Sequence, residues 1–210
     1  MVELAARFAT LCRRLGLALD VEQAYAELTR HYATPTRAYH DLTHVAHCLE
    51  ELDRARHLAG DADAVELAVW YHDAVLDSRQ KDNELKSAEL ARDVLREAGA
   101  SDELTAQVFD LIMATCHGAV VPETDDARIM VDCDLAILGQ PADRFDAYDA
   151  AIREEYAWVP RAAYVTGRSQ VLEGFLARER IYLTELFHDL YEAQARTNLH
   201  RSIQSLIAHL

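Results

Sequence analysis

Basic residues are in short supply: 21 Lys and Arg stand against 36 Asp and Glu, a formal net charge of -15. No block of Lys and Arg offsets this balance, and such a chain repels the phosphates of a long nucleic acid. A nucleic-acid polymer is therefore excluded as a partner, whereas a small anion drawn to a local cation inside the negative shell is compatible. Proline and glycine are also few, at 4 and 7, while 50% of residues are hydrophobic. That balance argues against disorder and for a globular, largely helical chain. No apolar run reaches the ~20 residues that span a bilayer, and Met1-Val2-Glu3-Leu4 lacks the basic start of a secretory signal. The expectation is a cytoplasmic protein with no membrane partner. Cys12, Cys48, Cys116 and Cys133 form no CxxC pair, so no disulfide framework is expected and all four read as small buried apolar residues. Strand alternation, internal repeats and low-complexity linkers are missing as well, which leaves one all-α domain over residues 1–210.

What is present is helical periodicity with clear punctuation. Leu4, Phe8, Leu11, Cys12 and Leu15 predict a first helix that Gly16 closes, and Tyr25, Leu28 and Tyr32 a second over 21–32, which Pro35 cannot continue. A third is expected over 42–58 with Asp41 or Thr43 as cap and Gly60 as stop. The fourth, 62–75 after Asp61, is apolar nearly all round and should be central. Further helices are expected over 83–98, from Ser101 to His117, over 129–138, and from Pro141 as first residue through Tyr156. Pro160 and Gly167 are read as breaks before helical segments from Arg168 onward.

The fourth helix ends in His72-Asp73, one imidazole nitrogen and one carboxylate oxygen, a borderline pair suited to Zn, Mn, Fe, Co or Ni rather than Ca. Adjacent helical residues diverge by about 100°, so the pair can grip one ion only at a helix end or with ligands from elsewhere. Such ligands exist upstream in Tyr39-His40-Asp41-Leu42-Thr43-His44 and downstream in Asp132-Cys133-Asp134. His47 and His57 fall on what should be an outer, solvated face.

The order His44, His72-Asp73, Asp134 resembles the HD superfamily of metal-dependent phosphohydrolases, all-helical proteins marked by a His, a His-Asp doublet and a distant Asp. The string from Arg37 to His44 is similar to the Tyr-His-Asn-x-x-x-His stretch of cyclic-nucleotide phosphodiesterases, with Asp41 where that family has Asn. Over nearly the whole chain it looks like a bacterial family of HD-type phosphohydrolases, through Asp82-Asn83-Glu84 with Ser87-Ala88, Thr115-x-His117, Asp132 to Gly139, Ile152-Arg153-x-Glu155-Tyr156 and Ala195-Arg196-x-Asn198-Leu199.

The resemblance implies a compact helical bundle with His44, His72, Asp73 and Asp134 as metal ligands. Asp132 is then a neighbour that orients a ligand or a water, although the choice between Asp132 and Asp134 is open at this stage. His40 is implied as proton donor to the leaving group and Glu84 as the base that orients water. Asn83, His117, Arg153, Tyr156 and Arg196 are implied around the substrate. Each has an ordinary alternative: Asn83 and Glu84 begin a helix, His117 ends one, and Arg153, Arg168 and Arg196 can form structural ion pairs. The expected cofactor is a divalent transition metal (Mn, Fe, Co, Ni or Zn, with Mg admissible), and His117 is the one residue placed to help hold a second ion. The implied reaction is hydrolysis of a small phosphorylated metabolite, a nucleotide foremost, by a metal-bound water. A di-iron oxygenase or a nucleotide-binding protein without turnover are the alternatives.

Overall fold

The computed structural model describes residues 2–116 and 122–208; the expected site residue His117 falls outside them, while the sixth helix, expected to reach it, already ends at Met113 with Ala114 as its C-cap. Among the described residues there are ten α-helices and no strand, the all-α class expected. Packing divides the chain into two compact units, 1–133 and 134–210, with the division falling inside one helix.

The first unit comprises α1 (Val2–Arg14), α2 (Val21–Tyr32), α3 (Leu42–Ala55) with a 3-10 turn Arg56–Leu58, α4 (Ala62–Tyr71), α5 (Asn83–Glu97), α6 (Asp102–Met113) and α7 (Asp125–Leu135). Its hub is α4, which packs against α1, α3, α5 and α6. Every residue from Ala64 to Tyr71 is buried, because the apolar side chains leave no polar stripe for solvent; each large one contributes about 1.5–3 kcal/mol. Trp70 at its far end meets the rings of Phe8 at 5.3 Å and Tyr25 at 6.2 Å. Carboxylates and a hydroxyl start the helices as the sequence indicates. Asp20 accepts from Gln23 N, Asp41 from Thr43 N and His44 N, Asp61 from Asp63 N and Ala64 N, and Ser101 from Leu104 N. Gly16 and Gly99 follow helices at φ +65 and +73, the left-handed region that an L side chain resists.

Helix α7 begins at Asp125, four residues before the expected start, since Asp125 and Asp126 suit the positive end of a helix. Asp126 also accepts from Gly60 N at 2.7 Å and Asp61 N at 3.0 Å. The start of α7 is thereby tied to the start of α4.

The second unit comprises a 3-10 turn Ala136–Gly139, α8 (Ala142–Glu155), α9 (Arg161–Leu176) and α10 (Glu185–Ala208). The helix expected over 129–138 thus tightens at its end. Gly139 explains the tightening: a Cβ there would collide with Cβ of Tyr191 and lie 2.9 Å from its Cα, so α10 crosses directly over the turn. Asn198, fully buried on α10, donates to the carbonyls of Leu138 and Gln140 at 2.9 and 2.8 Å and fixes that crossing. Pro141 is the N-cap of α8 and not its first residue. Gly167 does not break the chain but sits inside α9. One glycine costs a helix about 1 kcal/mol, less than the burial of Tyr164, Val165, Leu172 and Phe175 on the same helix returns.

Candidate metal centre

The fourth helix ends at Tyr71, short of the expected Val75, and this early stop exposes the ligand geometry. His72 is the C-cap and donates from Nδ1 to the carbonyl of Val69 at 2.9 Å. A carbonyl only accepts, so Nδ1 carries a proton, and in the neutral ring the lone pair of Nε2 is presented outward. Asp41 caps α3 and so sets its first turn, which carries His44 inward; His44 is 3% and His72 2% exposed. His44 Nε2 lies 3.1 Å from His72 Nε2 and 3.4 Å from Asp73 Oδ2, and His72 Nε2 lies 3.2 Å from the same oxygen.

Two ring nitrogens and a carboxylate oxygen thus form a nearly equilateral triangle. Ligand atoms about 2.0–2.2 Å from one tetrahedral or octahedral ion stand roughly 2.9–3.5 Å apart, so the triangle has the edge lengths of a metal-binding face. Ligand atoms of His44, Cys48, His72 and Asp134 also lie within 4.8 Å of one another, a group that could hold a metal ion. Asp134 is brought there by α7, and Asp132 is not in that group. The two differ by two helical positions, roughly 200° around the axis, and Asp132 is fully buried. Burial pushes the Asp73 carboxyl up; the charges of His72 and His40 and hydrogen bonds with His44 and His72 outweigh it and hold the group well below the usual carboxylate range. Asp73 keeps 17% of its side chain exposed, the most of the three.

Cys48 is buried as expected, yet it belongs to the cluster. Its Sγ stands 3.7 Å from both Nδ1 and Nε2 of His44. Equal distances to both nitrogens place the sulfur against the imidazole and off the Nε2 lone-pair axis. The signal was its spacing, one helical turn after His44.

Arg37 opens the segment that ends at His44. Its Nη1 donates to the carbonyls of His40 and Asp73, both at 2.7 Å, and its Nη2 to Ala74 at 3.0 Å. The guanidinium lies 5.0 Å from the Tyr32 ring, whose hydroxyl donates to Trp70 O at 2.9 Å. Arg37 therefore ties the segment entering α3 to the segment leaving α4. From the other side, Val75 N donates to Ser87 Oγ at 3.0 Å, Asp77 N to Asn83 Oδ1 at 3.0 Å, and Asn83 Nδ2 to Asp77 O at 3.1 Å. Asn83 braces the loop that follows the His-Asp doublet.

His40 is half-buried in the turn before α3, its ring centroid 5.7 Å from that of His44. Glu84 is half-buried in the first turn of α5. His47, expected on a solvated face, is 5% exposed, with Nε2 3.3 Å from the equally buried Glu51; His57 is exposed as expected. Arg153 donates to the carbonyls of Tyr156 and Val159 and stacks 4.5 Å over Tyr164, which secures the end of α8. Tyr156 is the C-cap of that helix. Arg196 pairs with Glu192 and donates to the carbonyls of Leu176, Arg178 and Glu179 after α9. Arg168 pairs with Asp149 at 2.8 Å, the structural outcome weighed for it.

No helix among the described residues is long and apolar enough to cross a membrane. No family model, curated protein or solved structure matches the chain.

Proposed function

We propose that the protein is a metal-dependent phosphohydrolase of the HD type, acting on a small phosphorylated metabolite with a nucleotide as the leading candidate. The observation that carries this reading is the triangle of His44 Nε2, His72 Nε2 and Asp73 Oδ2, with edges of 3.1, 3.2 and 3.4 Å. Two imidazole nitrogens and a carboxylate oxygen at such distances need a proton or a cation between them. The donor set fits a divalent transition metal, held by His44, His72, Asp73 and Asp134. When bound, such an ion supplies Lewis acidity toward a phosphoryl oxygen and lowers the pKa of water.

The chain's own residues supply the rest. The Val69 carbonyl holds His72 in one tautomer and orientation. The partial exposure of Asp73 leaves room for substrate to approach. His40 stands in the turn four positions before His44, and one of its ring nitrogens delivers a proton to the departing oxygen. Glu84, in the first turn of α5, accepts the proton of the attacking water. The acidic charge balance disfavours a polymer, each of whose further phosphates would meet repulsion.

Native metal analysis followed by a phosphorylated-metabolite screen, with Mn, Co, Ni, Mg and Fe added back in turn, tests the reading. The expected result is about one transition-metal ion per chain and metal-dependent release of phosphate. A chain that binds no divalent ion, or a loaded protein that releases phosphate from nothing in the panel, overturns it.

A further inference from the structure

Helix α4 stops at Tyr71, immediately before the His-Asp doublet, and the partners of its last carbonyls identify what stops it. In a continuing helix the Asp73 N–H would donate to Val69 O and the Ala74 N–H to Trp70 O. Neither bond forms among the described residues. The Val69 carbonyl accepts from His72 Nδ1 at 2.9 Å, and the Ala74 N–H turns back to Tyr71 O, also at 2.9 Å. Trp70 O is left without an amide, as carbonyls at a helix end are. Tyr32 supplies its partner, a hydroxyl donated at 2.9 Å.

Tyr32 is the last residue of α2, 38 positions before Trp70, and is 2% exposed. Burial foremost, then the Asp73 carboxylate, push its hydroxyl well above the usual tyrosine range; the charges of Arg37 and His44 and a hydrogen bond from the Asp73 backbone oppose them. The hydroxyl thus meets both the carbonyl of Trp70 and the backbone of Asp73. Arg37, whose guanidinium lies 5.0 Å from the Tyr32 ring, holds the carbonyls of Asp73 and Ala74. The doublet's backbone is clasped from two sides, at its N–H by Tyr32 and at its C=O by Arg37.

We propose that Tyr32 is a positioning residue of the metal centre: its hydroxyl takes the place of the Ala74 amide at Trp70 O, ends α4 early and lets His72 and Asp73 face one ion. On a helix running on through Val75 the two side chains would point about 100° apart. On the turn, His72 Nε2 and Asp73 Oδ2 stand 3.2 Å from each other. The role rests on the reading of His44, His72, Asp73 and Asp134 as ligands of one ion.

The test is Tyr32→Phe in the full chain, with cobalt(II) as the probe. The phenyl ring keeps the packing, so the variant should fold and melt within about 3 °C of the wild type. Its cobalt Kd should rise about tenfold to a hundredfold, as on loss of other groups that orient a ligand. The visible bands of the bound cobalt, which report ligand number and geometry, should shift, because Trp70 O returns to the Ala74 amide and Asp73 swings away. Ile152→Val, a trim of the buried face of α8 that carries a comparable stability cost, should alter neither. Unchanged Kd and bands in Tyr32→Phe overturn the proposal, and so does an equal loss in Ile152→Val, which makes the effect one of general stability. A Tyr32→Phe chain that does not fold also overturns it, since the hydroxyl then serves the whole fold. Failure of the phosphohydrolase reading looks different: a wild type that binds cobalt and releases no phosphate overturns that reading while the bands still score Tyr32, and a wild type that binds no cobalt overturns both.

Discussion

Two buried polar clusters sit in the first unit, one anchored near the beginning of α4 and one at its end, and they are built on opposite logic. Near the beginning, Glu66 is 2% exposed and accepts from Arg7 at 2.9 Å, Arg56 at 2.7 Å and Arg14 at 3.3 Å. Asp53 and Asp63 share the same arginines, so three cations meet three carboxylates and each acceptor faces a donor. At the end, ring nitrogens of His44 and His72 and a carboxylate oxygen of Asp73 face one another with no arginine or lysine among them. The first cluster is electrostatically complete. The second needs a proton or a cation between its members, so burial of polar groups alone does not separate a structural network from a candidate site, whereas the sign of what faces what does.

Four measurements break or sharpen this contrast. His40→Ala should leave metal content unchanged and lower turnover of a natural ester by roughly a hundred to ten thousand times, the usual contribution of a positioned acid. A nitrophenyl ester, whose leaving group needs little protonation, should lose much less, and a metal-free His40→Ala would exchange the roles of the two histidines. Next, Glu66→Ala leaves three arginines around a void and should cost about 3–5 kcal/mol in urea denaturation. That loss should be identical with and without chelator, and a chelator-dependent loss would join the two clusters into one. Third, a thousandfold excess of metal over its Kd should stabilise the wild type by about 4 kcal/mol and His44→Ala by far less. The smallest effect is expected for Cys48→Ala, about 1 kcal/mol with metal stoichiometry retained, because the sulfur lies off the lone-pair axis of His44. A thiolate-to-metal charge-transfer band in the cobalt-loaded wild type that Cys48→Ala removes would make Cys48 a ligand.

Helical class, the bounds of α2 and the convergence of His44, His72 and Asp134 could be read from the chain because each depends on local pattern: periodicity, caps and the residue types a metal accepts. The environment of His47 could not, because a histidine on the polar flank of a helix is buried only if neighbouring helices cover it, although Glu51 four positions on was a visible partner. The early start of α7 was hidden by reading Asp125 and Asp126 as loop residues. Arg37, Arg153 and Arg196 were hidden for a common reason. All three donate to backbone carbonyls near the ends of α4, α8 and α9. Every residue carries a carbonyl, so no side-chain pattern marks which of them an arginine will collect. Asn83 was legible as a residue beside the doublet, but its partner, the Asp77 backbone, was not.

The bracket formed by Arg37 also bears on how tightly an ion can be held. Arg37 and Asp73 are 36 positions apart in the chain, and gathering such a loop in a flexible protein costs roughly 3 kcal/mol of entropy. Because the guanidinium holds the two segments together without a cation, that ordering belongs to folding and is not charged to the ion on arrival. On the proposed reading, the same ligand side chains on an unbraced chain would bind the ion roughly a hundredfold more weakly. Arg37→Lys, which keeps the charge but has a single ammonium in place of the planar fork, would return part of that entropy to the binding step and loosen the ion without touching any of its ligands.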